Sequence, residues 1–299
     1  MEKSRDLCEE AALSYLPGRI SAAVRRSAAL YSGIITEIRL RRECTVFICS
    51  GDKNVSCGIK ATDEDIRSTV RALCGNSLYC HSETIREGYI CTDGGLRAGV
   101  CGRAVTKDGQ ICSVNDISSV AIRIPHRVPG AADSICRVIF ERGFSGLLVF
   151  SPPGVGKTTV LRELVARLSS KPYNLRIAVV DSRFEICGAL GGDCTYDALS
   201  GYPRNRGIEC ALRTLSPQLI VCDEIGGESD ASALISAKGS GVPVCASIHA
   251  STIDEILEKP FMKELVENKV FSHAAGLQRT GGEYRAQLIC LSDREKAVC

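Results

Sequence analysis

The stretch Leu147–Thr159 reads LLVFSPPGVGKTT, and VLRELVARL follows it directly. Its first four residues are apolar and predict a buried strand, and the proline and glycine residues after them predict a loop. Apolar side chains then recur at helical spacing as far as Leu168, which predicts a helix that begins at Lys157. Because such a loop and helix N-terminus point main-chain N–H groups at an anion, the stretch predicts a phosphate-binding loop.

The loop matches the Walker A pattern GxxxxGK[ST], except that Ser151 replaces the first glycine. Lys157 supplies a positive charge for the phosphates, and the Thr158 hydroxyl is a ligand for Mg²⁺. We therefore expect ATP and Mg²⁺ as the bound groups. The predicted nucleotide-binding residues are Pro153, Gly154, Val155, Gly156, Lys157, Thr158 and Thr159.

A second apolar strand, Leu219–Cys222, ends in two carboxylates, Asp223 and Glu224. In parallel sheets, ligands bind beyond the carboxyl ends of the strands. We expect Asp223 to hold Mg²⁺ through water and Glu224 to polarise the water that attacks the γ-phosphate. The adjacent glutamate favours hydrolysis over a simple binding switch or a small-molecule kinase.

From residue 131 onward, apolar strands alternate with helices, which predicts an α/β domain with a mostly parallel sheet. Its predicted elements are a helix over 131–142, the strands Leu147–Phe150, Ile177–Asp181, Leu219–Cys222 and Val242–Ile248, and a final hairpin at Gly281–Gly282. The front portion mixes helices and strands and is predicted to be an α+β domain. Its elements are two helices before Ala29 broken at Pro17–Gly18, the strands Ile34–Leu40, Thr45–Ile48, Leu96–Val105 and Val120–Ile124, and helices from Thr62 and Ser82.

Prolines at positions 125 and 129 separate the two portions, and we place the domains at residues 1–126 and 127–299. The net charge is +2, from 37 basic and 35 acidic residues, so composition gives no case for a nucleic-acid partner. No window approaches the roughly 20 apolar residues that cross a bilayer, and Met1–Glu10 is not a secretory signal. We expect a cytoplasmic protein.

The chain has 17 cysteines and no CxxC pair, so we expect no zinc site. A disulfide framework is typical of small secreted domains, which this chain does not resemble. The cysteines are best explained as small apolar residues in strands and helices of the core.

Four motifs occur in the order found in the secretion and type IV pilus ATPases of the RecA-like superfamily. They are Walker A at Ser151–Thr158, an acidic strand end at Val179–Glu185, Walker B at Leu219–Glu224 and a histidine motif at Ala246–Ala250. The region 131–285 resembles this superfamily, which implies a RecA-like P-loop ATPase domain that works as a hexameric ring. Many of its members carry a Cys-rich zinc insertion, which this chain lacks.

Further runs along the chain resemble the stage III sporulation protein AA family. They are TEIRLR at 36–41, GLRAGV at 95–100, DISSVAIRIP at 116–125, DSRFEI at 181–186 and RTLSP at 213–217. The resemblance implies an ATPase of endospore formation in the cytoplasm of the mother cell. It also implies peripheral association with membrane-embedded channel proteins of the sporulation complex.

Other polar residues are candidates for catalysis. His249 follows a strand and is expected to sense the γ-phosphate, the alternative being an ordinary loop histidine. Glu185 is expected to have a catalytic or Mg²⁺-linked role, the alternative being an ion pair with Arg183. In a ring, one or two arginines can reach a neighbour's phosphate, the alternative being a solvated basic face. The candidates are Arg204, Arg206 and Arg213.

The leading prediction is a ring ATPase that drives assembly of, or transport through, a transenvelope channel. A nucleic-acid translocase on the same core is an alternative, which the near-neutral charge disfavours. An ATP-gated assembly scaffold with little turnover is a second alternative, and the sequence leaves it open.

Overall fold

The computed structural model describes residues 9–31, 33–51, 53–92, 95–126, 128–141, 144–190, 195–280 and 283–291. The chain divides into two compact units, Met1–His126 and Arg127–Cys299. In these ranges no helix has the length and apolar character needed to cross a membrane.

The first unit is built on an antiparallel sheet of six strands. They are β1 (Glu37–Arg41), β2 (Thr45–Ser50), β3 (Lys53–Lys60), β4 (Tyr89–Cys91), β5 (Arg97–Lys107) and β6 (Gln110–Arg123), in the order β3-β2-β1-β6-β5-β4. Besides the helical residues 9–14, the described helices of this unit include α1 (Gly18–Leu30), α2 (Asp63–Leu73) and α3 (Ser82–Arg86). In β1, Ile38 and Leu40 are buried while Arg39 and Arg41 are exposed, because successive side chains of a strand point to opposite faces.

The sequence-based elements of this unit are largely present, with several differences. The strand β4 was not predicted, and β6 begins at Gln110 rather than at Val120. The edge strand β3 was not predicted, although Val55, Cys57 and Ile59 alternate with polar residues or glycine; most of its side chains are exposed. The strand predicted from Ile34 begins at Glu37. The break in the N-terminal helices is confirmed, since residues 9–14 are helical and α1 begins at Gly18.

The second unit is built on a seven-stranded sheet. Its strands are β7 (Gly146–Ser151), β8 (Ile177–Asp181), β9 (Tyr196–Ser200), β10 (Leu219–Glu224), β11 (Val244–His249), β12 (His273–Thr280) and β13 (Glu283–Cys290). The order is β13-β12-β7-β11-β10-β8-β9. All neighbours are parallel except the antiparallel pair β12 and β13, as expected for a mostly parallel sheet.

Helices cover both faces of this sheet. They are α4 (Asp133–Val138), α5 (Lys157–Leu168), α6 (Arg204–Thr214), α7 (Glu228–Gly239), α8 (Ile253–Leu257) and α9 (Pro260–Glu267). Leu219 and Val221 belong to one apolar core, and Ile220 and Cys222 belong to the other. Because both faces are buried, β10 is a continuous apolar run rather than an alternating one.

Two elements of this unit differ from the sequence-based expectation. The helix predicted over 131–142 is shorter, Asp133–Val138, because the β-branched and aromatic residues at its end have low helix propensity. The strand β9 was missed because Tyr196–Ser200 is short and mixes polar with apolar residues. The strands of the final hairpin are confirmed, whereas Gly281–Gly282 lie outside the described residues.

Cys136, Cys222 and Cys245 are thiols and form no disulfide. Cys222 and Cys245 are fully buried in strands, and Cys136 is buried in α4. Burial raises the pKa of the Cys136 thiol to about 12, so this side chain is an uncharged apolar group at neutral pH. These positions agree with the interpretation that cysteine serves here as a small core residue. The exposed cysteines Cys44, Cys80, Cys101 and Cys112 do not.

The start of α2 is fixed by a capping box. The Thr62 hydroxyl accepts a hydrogen bond from the Asp65 N–H, and the Asp65 carboxylate accepts one from the Thr62 N–H. Arg19 of α1 donates to the same carboxylate. Burial acts to raise the pKa of Asp65, but the hydrogen bonds from Arg19 and Thr62 outweigh it and hold the pKa below its usual value.

We predict that Asp65→Ala lowers the free energy of unfolding by about 1–2 kcal/mol near neutral pH, because it removes half of the capping box and the Arg19 contact. A carboxylate with a lowered folded-state pKa stabilises the fold above its unfolded pKa, and loses that effect as the pH falls through the folded pKa. Urea denaturation followed by circular dichroism should therefore show a difference from wild type that shrinks at acidic pH. Glu64→Ala, at an exposed position of the same turn, is the control; an equal loss there would contradict the account.

Candidate functional site

Four parallel strands of the second unit, β7, β11, β10 and β8, lie side by side. Their carboxyl ends therefore meet at one edge of the sheet. They end at Ser151, His249, Glu224 and Asp181 respectively. Because β11 lies between β7 and β10, His249 is placed between the phosphate-loop strand and the strand that carries the two carboxylates.

The loop after β7 has the backbone that its glycines permit. Gly154 and Gly156 have φ angles of 78° and 121°, which strain any other residue. The helix α5 begins at Lys157, the residue predicted from sequence. The N–H groups of its first turn therefore face the same sheet edge as His249 and Glu224.

Lys157 is only 7% exposed. Its ammonium donates to the Ser151 carbonyl oxygen at 2.9 Å and lies 2.6 Å from His249 Nδ1. Burial lowers the pKa of Lys157, and the negative charges of Glu224 and Glu185 oppose that effect. The side chain is thus a desolvated cation that an anionic ligand would stabilise.

His249 connects Lys157 to Glu224. Its Nε2 lies 3.1 Å from Glu224 Oε1. An ammonium group has no acceptor, so Nδ1 accepts the hydrogen bond and the proton of the neutral ring is on Nε2. The imidazole then donates to Glu224, and Lys157 and Glu224 are separated by one side chain. The sequence-predicted Lys157, His249 and Glu224 are therefore brought together.

The second carboxylate oxygen of Glu224 also has a partner. Arg183 Nη1 donates to Glu224 Oε2 at 2.9 Å. The sequence offered Arg183 only as an ion-pair partner for Glu185, so its contact with Glu224 was not foreseen. No sequence pattern identifies it, because the contact depends on the path of the loop after β8.

Asp181 shapes that loop. It is fully buried, and its carboxylate accepts the N–H groups of Glu185, Ile186 and Cys187 at 2.8, 2.9 and 3.0 Å. The turn brings the Glu185 side chain to α5, where its Oε2 lies 3.4 Å from Thr158 Oγ1. The predicted Mg²⁺-linked residues Thr158 and Glu185 are therefore neighbours.

Asp223 forms a buried ion-pair triad. Arg204 of α6 donates to Asp223 Oδ1 from Nε at 3.0 Å and from Nη2 at 2.8 Å. Its third nitrogen donates to Asp230 Oδ2 at 2.7 Å. Burial raises the pKa of Asp223, and the Arg204 charge partly offsets the effect. A close packing contact permits this arrangement, since a Cβ at Gly207 of α6 would lie 2.5 Å from Val180 Cγ1.

The expectation that Arg204 reaches a neighbour's phosphate stays a prediction. Within its own chain, the Arg204 side chain is 13% exposed and is bound by Asp223 and Asp230. Asp230, near the start of α7, was missed because it lies outside every motif; its only signal is an acidic residue in the first turn of a helix after two glycines.

The other two arginines are exposed on α6. Arg206 and Arg213 are 70% and 78% exposed, and both lie near Glu209 on the same helix, at 3.0 and 4.0 Å. Within the described part of the chain, neither contacts the residues gathered around Lys157. The arrangement of these two side chains fits equally a solvated surface and a contact to another subunit.

This sheet edge holds the buried ammonium of Lys157 and the N–H groups at the start of α5. It also holds the Thr158 hydroxyl beside the Glu185 carboxylate, and the Glu224 carboxylate in contact with His249 and Arg183. These groups can bind a polyphosphate, orient a divalent cation and polarise a water molecule.

The family model for sporulation stage III, protein AA matches residues 9–294. Stage III sporulation protein AA of Bacillus subtilis (strain 168) is 32% identical to this chain over 258 residues, which cover 83% of this chain and 84% of that protein. The match extends through both units.

Solved structures share the fold at low sequence identity. The ATPase DotB of Legionella pneumophila superposes with a TM-score of 0.66 at 13% identity, covering 95% of this chain and 83% of that chain. The pilus retraction motor PilT with bound ADP superposes with a TM-score of 0.61 at 13% identity, covering 92% of this chain and 86% of that chain. The second unit thus has the RecA-like P-loop fold expected from the motifs. With the sheet-edge residues in place and the family model matching almost from end to end, this chain belongs to the stage III sporulation protein AA family.

Proposed function

We propose that this chain is a P-loop ATPase that hydrolyses ATP to ADP and phosphate. The observation that carries the proposal is the pair of contacts that join Lys157 to His249 and His249 to Glu224. A phosphate bound by Lys157 would have the Glu224 carboxylate within reach of a water molecule beside it. Residues from Pro153 to Thr159 would hold the nucleotide through the loop and the start of α5.

The described side chains fit Mg²⁺. This ion takes one or two protein oxygens and completes its coordination with phosphate and water. Thr158 and Glu185 offer a hydroxyl and a carboxylate that already lie 3.4 Å apart. Among the described residues, the Arg183 N–H is the one donor to Asp223 Oδ2, which retains a lone pair for a metal-bound water. Bound there, Mg²⁺ would neutralise phosphate charge.

The residues around the phosphate would act in sequence. When phosphates arrive, Lys157 exchanges its contact with His249 for a phosphate oxygen, which relieves the cost of its burial. His249 can then contact the terminal phosphate and so sense its presence, and Glu224 would act on the attacking water. General-base assistance of this kind contributes about 10²–10⁴-fold to a rate.

We further propose a hexameric ring that energises assembly of, or transport through, a membrane-embedded channel complex during endospore formation. Membership of the sporulation family supports the setting, and the fold shared with DotB and PilT supports a motor. The chain would work in the mother-cell cytoplasm as a homo-oligomer, peripherally associated with that complex. Nucleic acid is not a proposed partner. One of Arg206 and Arg213 would reach the phosphate of a neighbouring subunit.

Glu224→Gln should lower ATP turnover by at least about 100-fold while ATP still binds, because the amide keeps the shape but is not a base. Steady-state phosphate release and isothermal titration with ATP measure the two properties. Glu264→Gln, at an exposed position of α9, is the control. Equal turnover in Glu224→Gln and wild type would remove this residue from the mechanism.

Lys157→Ala should weaken ATP binding by at least about tenfold, because a charged hydrogen bond to phosphate is lost. Isothermal titration with ATP and Mg²⁺ gives the dissociation constant. Lys263→Ala changes an exposed lysine of α9 and should bind ATP as wild type does. Unchanged binding in Lys157→Ala would place the nucleotide elsewhere.

Mixing two inactive variants tests the arginine that acts across subunits. The double variant Arg206→Ala/Arg213→Ala keeps its own phosphate loop, and Lys157→Ala keeps the arginines. Co-assembled in a head-to-tail ring, they should recover roughly a quarter of wild-type sites and a corresponding ATPase rate.

The control mixture contains Lys157→Ala and Glu224→Gln. Lys157 and Glu224 belong to the site of one subunit, and every subunit in this mixture lacks one of them. No site is complete, so this mixture should stay inactive. No recovery in the first mixture would rule out a trans role for both arginines.

A further inference from the structure

Arg183 has a fixed backbone and an accessible side chain. Its N–H donates to Asp223 Oδ2 at 3.2 Å, and the loop around it is tied to the buried Asp181 carboxylate. Arg162 of α5 adds hydrogen bonds to the carbonyl oxygens of Glu185 and Ile186. The Arg183 side chain, in contrast, is 57% exposed. The guanidinium can therefore change partner without unfolding the loop.

In the structure that partner is Glu224. Arg183 occupies Oε2 and His249 faces Oε1, so both oxygens of the carboxylate proposed to act on water are engaged. Exposed ion pairs of this kind contribute little to stability. A competing anion close by can therefore displace the contact at small cost.

A terminal phosphate is such an anion. It carries more charge than a carboxylate and more acceptor oxygens, and the planar guanidinium fork binds phosphate oxygens in pairs. The same phosphate would also draw Lys157 away from His249. One ligand would therefore affect both Arg183 and His249, the two side chains that contact Glu224. ADP lacks that group and would leave the Arg183–Glu224 contact in place.

We propose that Arg183 senses the γ-phosphate: it restrains Glu224 when the terminal phosphate is absent, and transfers to that phosphate when a triphosphate binds. The inference rests on the proposed ATPase function and assigns a triphosphate-specific contact to that site. It makes Arg183, rather than the P-loop alone, responsible for the preference for a triphosphate over a diphosphate.

The test is the ratio of two affinities. Arg183→Gln and Arg183→Ala are titrated with Mg²⁺ and either AMP-PNP, a triphosphate that is not hydrolysed, or ADP. Relative to wild type, the AMP-PNP affinity divided by the ADP affinity should fall by at least about fivefold in both variants. Melting curves confirm that the variants are folded. Arg167→Ala is the matched control, because Arg167 forms a comparably exposed ion pair with Asp133 at the far end of α5.

If the ratio of AMP-PNP affinity to ADP affinity falls by less than about fivefold in either folded variant, the inference is overturned, because an arginine with a structural role alone would alter both affinities alike. Glu224→Gln provides a second reading. The change releases Arg183, so AMP-PNP affinity should rise more in the wild-type background than in Arg183→Gln. An equal rise in both backgrounds also overturns the inference. Wild-type protein that binds neither nucleotide would instead overturn the proposed function itself.

Discussion

The hydrogen bond between Lys157 and His249 is the contact on which the rest of the site depends. It exists because β11 lies between β7 and β10. A side chain at the end of β11 therefore lies between the phosphate loop and β10, the strand that ends in Asp223 and Glu224. Parallel pairing fixes this spacing, with Ser151 directly opposite His249. The sheet thus sets the distance between the Lys157 ammonium and the Glu224 carboxylate.

Burying charge at the sheet edge requires compensating contacts. Asp181 is held by three main-chain N–H groups, and Asp223 and Asp230 share Arg204. Such pairs add little net stability, because desolvation offsets their attraction, but the loss of one partner leaves an unpaired buried charge. Their effect is to hold the loop after β8 and the start of α7. The contacts that the proposed ligand would change are instead those of Lys157, His249, Arg183 and Glu224.

Local sequence was enough to predict the strand, loop and helix at Leu147–Leu168 and the acidic end of β10, because each is a short segment with strong apolar patterning. The edge strands β3 and β9 were not predicted: β9 is short and mixes polar with apolar residues, and in β3 the alternation of Val55, Cys57 and Ile59 spans only five residues. The partners of Arg183, Arg204 and Asp230 depend on tertiary contacts across 41, 19 and 26 positions of the chain, which no local pattern encodes. Arg204 illustrates the difference: it lies two positions from Arg206 in sequence, yet its side chain is 13% exposed and that of Arg206 is 70% exposed.

A structure determined with AMP-PNP and Mg²⁺ tests the central claim most directly, namely that Lys157 and Glu224 act on one triphosphate. The account predicts the Lys157 ammonium within hydrogen-bond distance of a β- or γ-phosphate oxygen, and the Glu224 carboxylate within hydrogen-bond distance of a water molecule beside the γ-phosphorus. A triphosphate bound away from Lys157, or a Glu224 side chain that faces away from the γ-phosphate, would contradict it.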